Sequence, residues 1–268
     1  MNADLLLAHE LTEIAARIAL PMWRRNPSVG VKVDGTPVTD VDLAVEEAMI
    51  QHLRRHRPSD AILSEEHGSY GDAERRWIID PIDGTEAYIA GVEAWGTHVA
   101  LEIGGQMAIG EISRPTRRTR CWALSGSGAW REQMGRPETR RRLHVSSTGR
   151  LREAKIGGFC SPDADPRRAL TTQATWIDDH HSIVEALLTG EVDAVVDDGG
   201  QPWDIAPRVL LVAEAGGTFR DPHGGDRIDL GGGVYTTRRL EPDISAALVG
   251  ARFCGPPSTV WRAARPAM

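Results

Sequence analysis

The chain has 268 residues, with 31 Lys and Arg against 38 Asp and Glu, for a formal net charge of −7. That balance argues against an intrinsic basic footprint for nucleic acid, while 41% hydrophobic and 26% charged residues are ordinary for a globular chain that buries a sizeable core. Cys121, Cys160 and Cys254 are odd in number and widely spaced, so they read as reduced thiols, with neither a disulfide framework nor a zinc site.

The first elements read as helices. Leu7, Leu11, Ile14, Ile18 and Trp23 fall near a 3.6 period, which predicts an amphipathic helix over residues 3–24, with Pro21 kinking or tightening its last turn. Leu5-Leu6-Leu7 runs at once into His9 and Glu10, so no signal peptide is expected. No apolar run approaches a membrane span, and the expected location is the cytoplasm. Val29 to Thr39 is polar and punctuated by Gly and Pro, as in a loop or hairpin. A second helix is predicted over 40–57, with Val41, Val45, Ala48, Met49 and Leu53 on its apolar face. Arg54, Arg55 and Arg57 suit the negative end of its dipole, and Pro58 stops it. Ala61-Ile62-Leu63 reads as a short strand ending in Ser64-Glu65-Glu66.

Trp77, Ile78 and Ile79 form an apolar, β-branched run that predicts a buried strand. It ends abruptly in Asp80-Pro81-Ile82-Asp83-Gly84-Thr85. Pro81 fixes one φ angle and pushes Asp80 towards an extended conformation. Gly84 permits a sharp turn or a close approach to a ligand. Two carboxylates held three residues apart on a stiff turn can converge on one point, as hard divalent cations require. The same residues can instead be a turn whose aspartates cap a helix.

Strands follow over 97–103, 107–112, 120–124 and 129–131, the first two joined by a Gly104-Gly105 hairpin signal. Gly135 to Arg142 is polar and Arg-rich; it reads as a solvated loop and as the boundary between an N-terminal half, 1–135, and a C-terminal half, 136–252. The second half alternates: a strand over 155–159, a helix over 181–189, a strand over 192–196, a helix over 204–215 capped at Gly216-Gly217, strands at 218–220 and 234–237, and a helix over 243–250. Residues 253–268 read as a disordered or dispensable tail.

The string Asp80 to Thr85, behind its apolar strand, matches every position of a D-P-[IL]-D-G-[TS] signature. In this it resembles the inositol monophosphatase-like family of Mg²⁺-dependent, lithium-sensitive phosphatases, a family that includes histidinol-phosphatase-like members. The resemblance runs over about residues 5–250. Ser64-Glu65-Glu66 matches the family's upstream Glu pair, although a Gly is usual where Ser64 stands. Trp203-Asp204 followed by Glu214-Ala215-Gly216-Gly217 matches its Trp-Asp pair opening a helix that ends in Glu-Ala-Gly-Gly. Taken alone, Glu65 reads as a surface acid and Asp204 as a helix N-cap.

The resemblance implies a layered α/β fold, the αβαβα sandwich, usually assembled as a homodimer. It implies a phosphate monoesterase acting on a small phosphorylated metabolite by attack of a metal-activated water on phosphorus. The implied metal ligands are Glu65, Asp80, Asp83, Asp204 and the backbone carbonyl of Ile82, holding two or three Mg²⁺ ions, with Mn²⁺ as a substitute. Gly84 and Thr85 would receive the phosphate. The segment Pro37 to Asp42 resembles a T-x-x-D segment and implies that Asp42, paired with Thr85, serves the attacking water, with Glu65 beside them. Lys32 matches a family Lys near the active-site loop and reads equally as a solvated Lys.

The chain departs from inositol-type members at the substrate side. Glu86 stands where Thr or Lys is usual, Asp178 falls at a family Gly, and Asp197 falls at the acid that contacts sugar hydroxyls. These three acids either receive a cationic amine, as of histidinol phosphate or an amino-sugar or amino-nucleoside monophosphate, or are solvated rim charges. Two alternatives to an inositol-phosphate-like or amine-bearing substrate stand beside these. One is a phosphatase of 3′-phosphonucleotides or sugar bisphosphates; the other is a catalytically weak regulatory protein that binds metal and phosphate.

Overall fold

The computed structural model describes residues 2–178 and 182–255. Helix α1 (Ala3–Met22) is capped by the Asn2 side chain, which accepts the Asp4 N–H at 2.8 Å. The hairpin strands β1 (Val29–Val31) and β2 (Pro37–Thr39) lead into α2 (Asp40–His56). Then come β3 (Ala61–Ser64), β4 (Gly68–Tyr70), β5 (Arg75–Asp83), the single-turn α3 (Thr85–Ile89), β6 (Gly96–Ile103), β7 (Gln106–Arg114), β8 (Thr119–Leu124), β9 (Ala129–Gln133) and β10 (Arg136–Arg142). Strands β3 to β10 make one eight-stranded sheet in the order β10-β9-β8-β7-β6-β5-β3-β4. Only β3 and β5 run parallel in it.

Beyond it lie β11 (Lys155–Phe159), α4 (Asp165–Thr171), β12 (Thr175–Ile177), α5 (Ile183–Leu188), β13 (Ala194–Asp198), α6 (Pro202–Glu214), β14 (Gly217–Arg220), β15 (Gly232–Thr237) and α7 (Glu241–Ala247). The five strands form a mixed sheet in the order β12-β11-β13-β15-β14.

The expected αβαβα layering follows from how apolar residues alternate along these elements. On β5, Trp77 and Ile79 face one way and pack with Leu11 and Ala15 of α1 and Val45, Met49 and Leu53 of α2. Ile78 faces the other way, against Trp203 and Ala206 of α6. A strand buried on both faces reads as an unbroken apolar run, which is why Trp77-Ile78-Ile79 was legible. Helices α5 and α6 fill the space between the sheets, where Ile183, Leu187, Ile205 and Leu211 meet Ile112, Cys121 and Ala123 on one side and Val195 and Tyr235 on the other. The outer layer is α4 and α7, with Leu170 and Ile244 on Ile156, Ala194 and Val196. Among the described residues no helix is long and apolar enough to cross a membrane.

Arg136–Arg142 corrects the expectation of a solvated loop. It is edge strand β10, paired with β9, so the chain changes sheets between Arg142 and Lys155 rather than at 135/136. The Arg-rich composition suits an edge that must not recruit another strand. Its guanidiniums also cover aromatic surface: Arg140 lies 4.8 Å from the Trp122 ring and Arg142 5.6 Å from the Trp130 ring. Two helices begin earlier than expected because Pro202 and Pro242 sit in their first turns, where a missing N–H costs nothing. The expected helix over 181–189 is α5 in its described part; His181 and the tail beyond residue 255 lie outside the described residues.

Gly110 on β7 sets how closely α6 approaches the first sheet. A Cβ there would meet the Pro207 carbonyl oxygen at 2.6 Å and the Pro207 Cα at 3.1 Å. Backbone cannot swing aside as a side chain can, so Gly110→Ala should cost about 1–3 kcal/mol in urea unfolding. Catalysis should fall with it, because α6 carries Asp204. Unchanged stability would mean that α6 is free to shift.

Candidate metal centre

The site lies where β5 stops. Asp80 pairs opposite His98 of β6 and Asp83 opposite Gly96, with a register irregularity between them. That irregularity, set by Pro81, lets two carboxylates three residues apart face the same point. Thr97 Oγ1 donates to the Pro81 carbonyl at 2.9 Å and holds the turn. Gly84 follows in the left-handed region at φ 88°, and a Cβ there would meet the Ala94 carbonyl oxygen at 2.8 Å. Only glycine meets both demands. Asp204 enters from the third position of α6, where its Oδ2 accepts the Gln201 N–H at 2.7 Å. One ligand atom from each of Asp80, Asp83, His98 and Asp204 lies within 4.8 Å of the others.

Asp42 sits fully buried at the start of α2 in a capping box with Thr39. Its Oδ2 accepts the Thr39 N–H at 2.9 Å and the Thr39 hydroxyl, and its Oδ1 accepts the Thr85 hydroxyl at 3.0 Å. The Thr85 hydroxyl also lies 3.2 Å from the Ile82 carbonyl oxygen. Burial raises the Asp42 pKa, against the lowering pull of these hydrogen bonds.

Glu65 is reached from the β1–β2 hairpin: Lys32 Nζ lies 2.6 Å from its Oε1 and 2.8 Å from Glu66 Oε1. The solvated reading of Lys32 is thereby corrected, for its side chain is largely covered. The turn that presents Glu65 is clamped by Glu46 of α2, which accepts the N–H groups of Glu66 and His67 at 2.9 and 2.7 Å. Burial pushes the Glu65 pKa up to about 8, with Lys32 opposing and Glu66 and Asp204 adding to the rise.

Asp80 and Asp83 have opposite surroundings. Asp80 is buried against Glu65, Asp83 and Asp204, and burial, with those charges, raises its pKa well above the usual carboxylate range. Its Oδ1 is buried with no hydrogen-bond partner among the described residues. Asp83 is only partly buried, its side chain 18% exposed, and His98, Arg208 and Arg114 outweigh that burial and hold its pKa well below the usual range. His98 Nε2 and Arg114 Nη1 lie 3.2 and 3.3 Å from its Oδ2, and Arg208 Nη2 3.2 Å from its Oδ1. Sequence reasoning missed all three nitrogen bases. The available signals were a His98 leading the apolar run Val99-Ala100-Leu101 and a charged Arg208 in the apolar middle of the helix after Trp203-Asp204.

The expected rim acids divide. Asp197 is not a rim charge: it is 2% exposed, and its Oδ2 accepts from Arg208 Nη1 at 2.8 Å. Asp178 is exposed and pairs with Arg167 at 2.8 Å. Glu86 is exposed in the first turn of α3. His180 lies outside the described residues.

Clustered carboxylates of raised pKa, one carrying a buried orphan oxygen, are what a divalent cation would satisfy. The carboxylate oxygens of Asp80, Asp83 and Asp204, with the His98 imidazole beside them, suit a hard ion such as Mg²⁺.

The family model described as the inositol monophosphatase family matches residues 4–250. The chain belongs to the inositol monophosphatase family. Membership makes it a phosphatase of small phosphate monoesters, in a family that is generally Mg²⁺-dependent. A relative from Streptomyces griseus, named glucose-1-phosphate thymidylyltransferase, is 43% identical over 256 residues, covering 93% of this chain and 98% of that one. The histidinol-phosphatase of Streptomyces coelicolor is 34% identical over 261 residues, covering 90% and 95%. Among solved structures, the inositol monophosphatase from Anabaena is similar with a TM-score of 0.78 at 27% identity, covering 97% of this chain and 98% of that one. The extragenic suppressor protein suhB from Bartonella henselae gives 0.81 at 25%, covering 92% and 98%. This inositol monophosphatase family member thus shares the layered α/β fold of its relatives.

Proposed function

We propose that this protein hydrolyses the phosphate monoester of a small hydroxylated metabolite, a sugar or polyol phosphate, with Mg²⁺. The observation that carries the reading is the convergence of Asp80, Asp83 and Asp204 beside the Asp42–Thr85 hydrogen bond. Glu65, Asp80, Asp83, Asp204 and the Ile82 carbonyl would hold two or three Mg²⁺ ions, with Mn²⁺ able to replace them. When bound, the metal supplies charge neutralisation for the phosphate oxygens and a lowered pKa for the attacking water.

The protein's own groups do the rest. The Gly84 and Thr85 N–H groups receive the phosphate, next to a backbone that no side chain shields. The Thr85 hydroxyl orients the attacking water and takes its proton as it passes its own to Asp42 Oδ1, while Thr39 holds the other Asp42 oxygen still. Glu65 completes the site from the β3–β4 turn, beside the buried Asp80 and the half-buried Asp204. Asp42→Asn or Thr85→Ala should lower kcat by about 100- to 10,000-fold, the range of general acid–base assistance, with Mg²⁺ affinity nearly unchanged. A loss confined to KM would remove the pair from the chemistry.

The hydroxylated substrate is favoured over an amine-bearing one because Asp197 and Asp178 already have guanidinium partners. The name of the Streptomyces griseus relative points the same way, to a sugar 1-phosphate. The histidinol-phosphatase relatives make histidinol phosphate the second reading, with exposed Glu86 as the acid open to an amine. The deciding experiment is a panel of sugar 1-phosphates, polyol phosphates and histidinol phosphate, scored for phosphate release with and without Mg²⁺. A parallel arm with thymidine triphosphate scores pyrophosphate release. No phosphate from any monoester would overturn the proposal, and preference for histidinol phosphate would install the second reading. We further propose that the protein is a cytoplasmic homodimer; light scattering on the purified chain would check the dimer, and a monomer mass would overturn it.

A further inference from the structure

Arg208 is a buried charge that the hydrolytic chemistry leaves without a task. It follows Asp204 by one turn of α6, so the two face the same way. The residue is 4% exposed, and its guanidinium lies 4.8 Å from the centre of the Phe159 ring. Nη1 donates to Asp197 Oδ2 at 2.8 Å and Nη2 to Asp83 Oδ1 at 3.2 Å. Asp197 is itself anchored, its Oδ1 accepting the Gly200 N–H at 3.0 Å. Arg114, the second guanidinium on Asp83, is tied through Nε to Glu185 Oε1 at 3.3 Å. A carboxylate offers about four lone-pair directions. Arg208 donates to Asp83 Oδ1 and Arg114 to its Oδ2, with His98 Nε2 3.2 Å from the same Oδ2, so lone-pair directions remain open on both oxygens. Asp80, on the other side of the cluster, keeps a buried Oδ1 with no such partner among the described residues.

We propose that Arg208 is a positioning residue that grades the metal centre, weakening the Asp83–Asp204 side for a divalent cation while leaving the Glu65–Asp80 side, which faces Lys32 instead, unaffected. The guanidinium supplies a fixed positive charge beside Asp83. Asp197 draws that charge partly away from Asp83, so the Arg208–Asp197 pair sets how weak the second position is. The inference rests on the metal-dependent reading above and deepens it.

The test is a calorimetric titration of the metal-stripped full chain with Mg²⁺, repeated with Mn²⁺ followed by electron paramagnetic resonance. The native chain should bind in a tight and a weak step. Arg208→Met should tighten the weak step by about tenfold, the scale on which groups behind the ligands act, and leave the tight step within about twofold. Asp197→Asn should move the weak step in the opposite direction, because the freed guanidinium then bears on Asp83 alone. Damage to the fold alone would weaken binding in both variants, so the opposed signs separate the two causes. The double variant Arg208→Met with Asp197→Asn removes the buried pair together and should keep the tightening even where Arg208→Met by itself does not fold. A double variant with an unchanged or weaker second step, shifts of the same sign in both single variants, or one class of sites in the native chain would each overturn the inference. Failure of the phosphatase reading would show separately, as no phosphate release from the monoester panel, whatever the isotherms report.

Discussion

Asp80→Asn is expected to remove most turnover while making the metal-free protein more stable. The activity loss should be on the order of 10³-fold in kcat/KM, or about 4 kcal/mol of transition-state stabilisation, because Asp80 is the carboxylate placed between Glu65, Asp83 and Asp204. The stability gain has the same origin. Asp80 is 1% exposed among other acids, and its raised pKa is the mark of a charge that the fold alone does not want. An amide of the same shape carries no charge to desolvate. A gain of about 1 kcal/mol would raise Tm by about 2–4 °C in a chain of this size. Opposite signs in activity and stability identify a group kept for chemistry rather than for folding. Retained turnover, or turnover lost along with cooperative unfolding, would remove Asp80 from the centre of the site.

Stability of the metal-free chain should fall as pH rises from about 4.5 to about 8, and Mg²⁺ should reverse the trend. Glu65 moves from an ordinary 4.5 to about 8, and Asp80 and Asp204 are raised with it by burial. Between those limits the native state holds more protons than the unfolded chain, so the stability of the fold decreases with rising pH. Asp83, held low by His98, Arg208 and Arg114, works in the other direction only at acid pH, where protonating it removes stability. Mg²⁺ competes with the protons for the same oxygens, so its stabilising effect should be larger near pH 8 than near pH 6. At a free concentration of 100 times Kd that effect is about 2.7 kcal/mol. Thermal melts across this range, with chelator and with Mg²⁺, provide the check. A metal-free melting temperature that climbs steadily with pH would mean that these carboxylates are not close together in solution.

The two predictions draw on different kinds of legibility. Asp80, Asp83 and Gly84 were readable because strand, proline turn and glycine form one continuous stretch, whose geometry is set by φ angles inside it. Asp42 could be placed through its resemblance segment, and the capping box then fixes its side chain by contacts only three residues apart. Arg136–Arg142 misled because polarity alone does not separate a loop from an edge strand. What decides it is the aromatic surface of Trp122 and Trp130, over which Arg140 and Arg142 lie.

Apolar periodicity in the sequence carried most of the helices and strands, and one local turn carried Asp80 and Asp83. The αβαβα layering and the place of Glu65 and Asp204 beside them came only through the family resemblance. The tertiary structure alone decided what those acids meet. His98 reaches Asp83 through the β5–β6 register, and Arg208 reaches Asp83 and Asp197 because Gly110 lets α6 lie close on the sheet. Asp197 therefore lies buried in an ion pair rather than at the rim. Burial and pairing between residues far apart in the chain depend on the finished packing, and no stretch of sequence contains them.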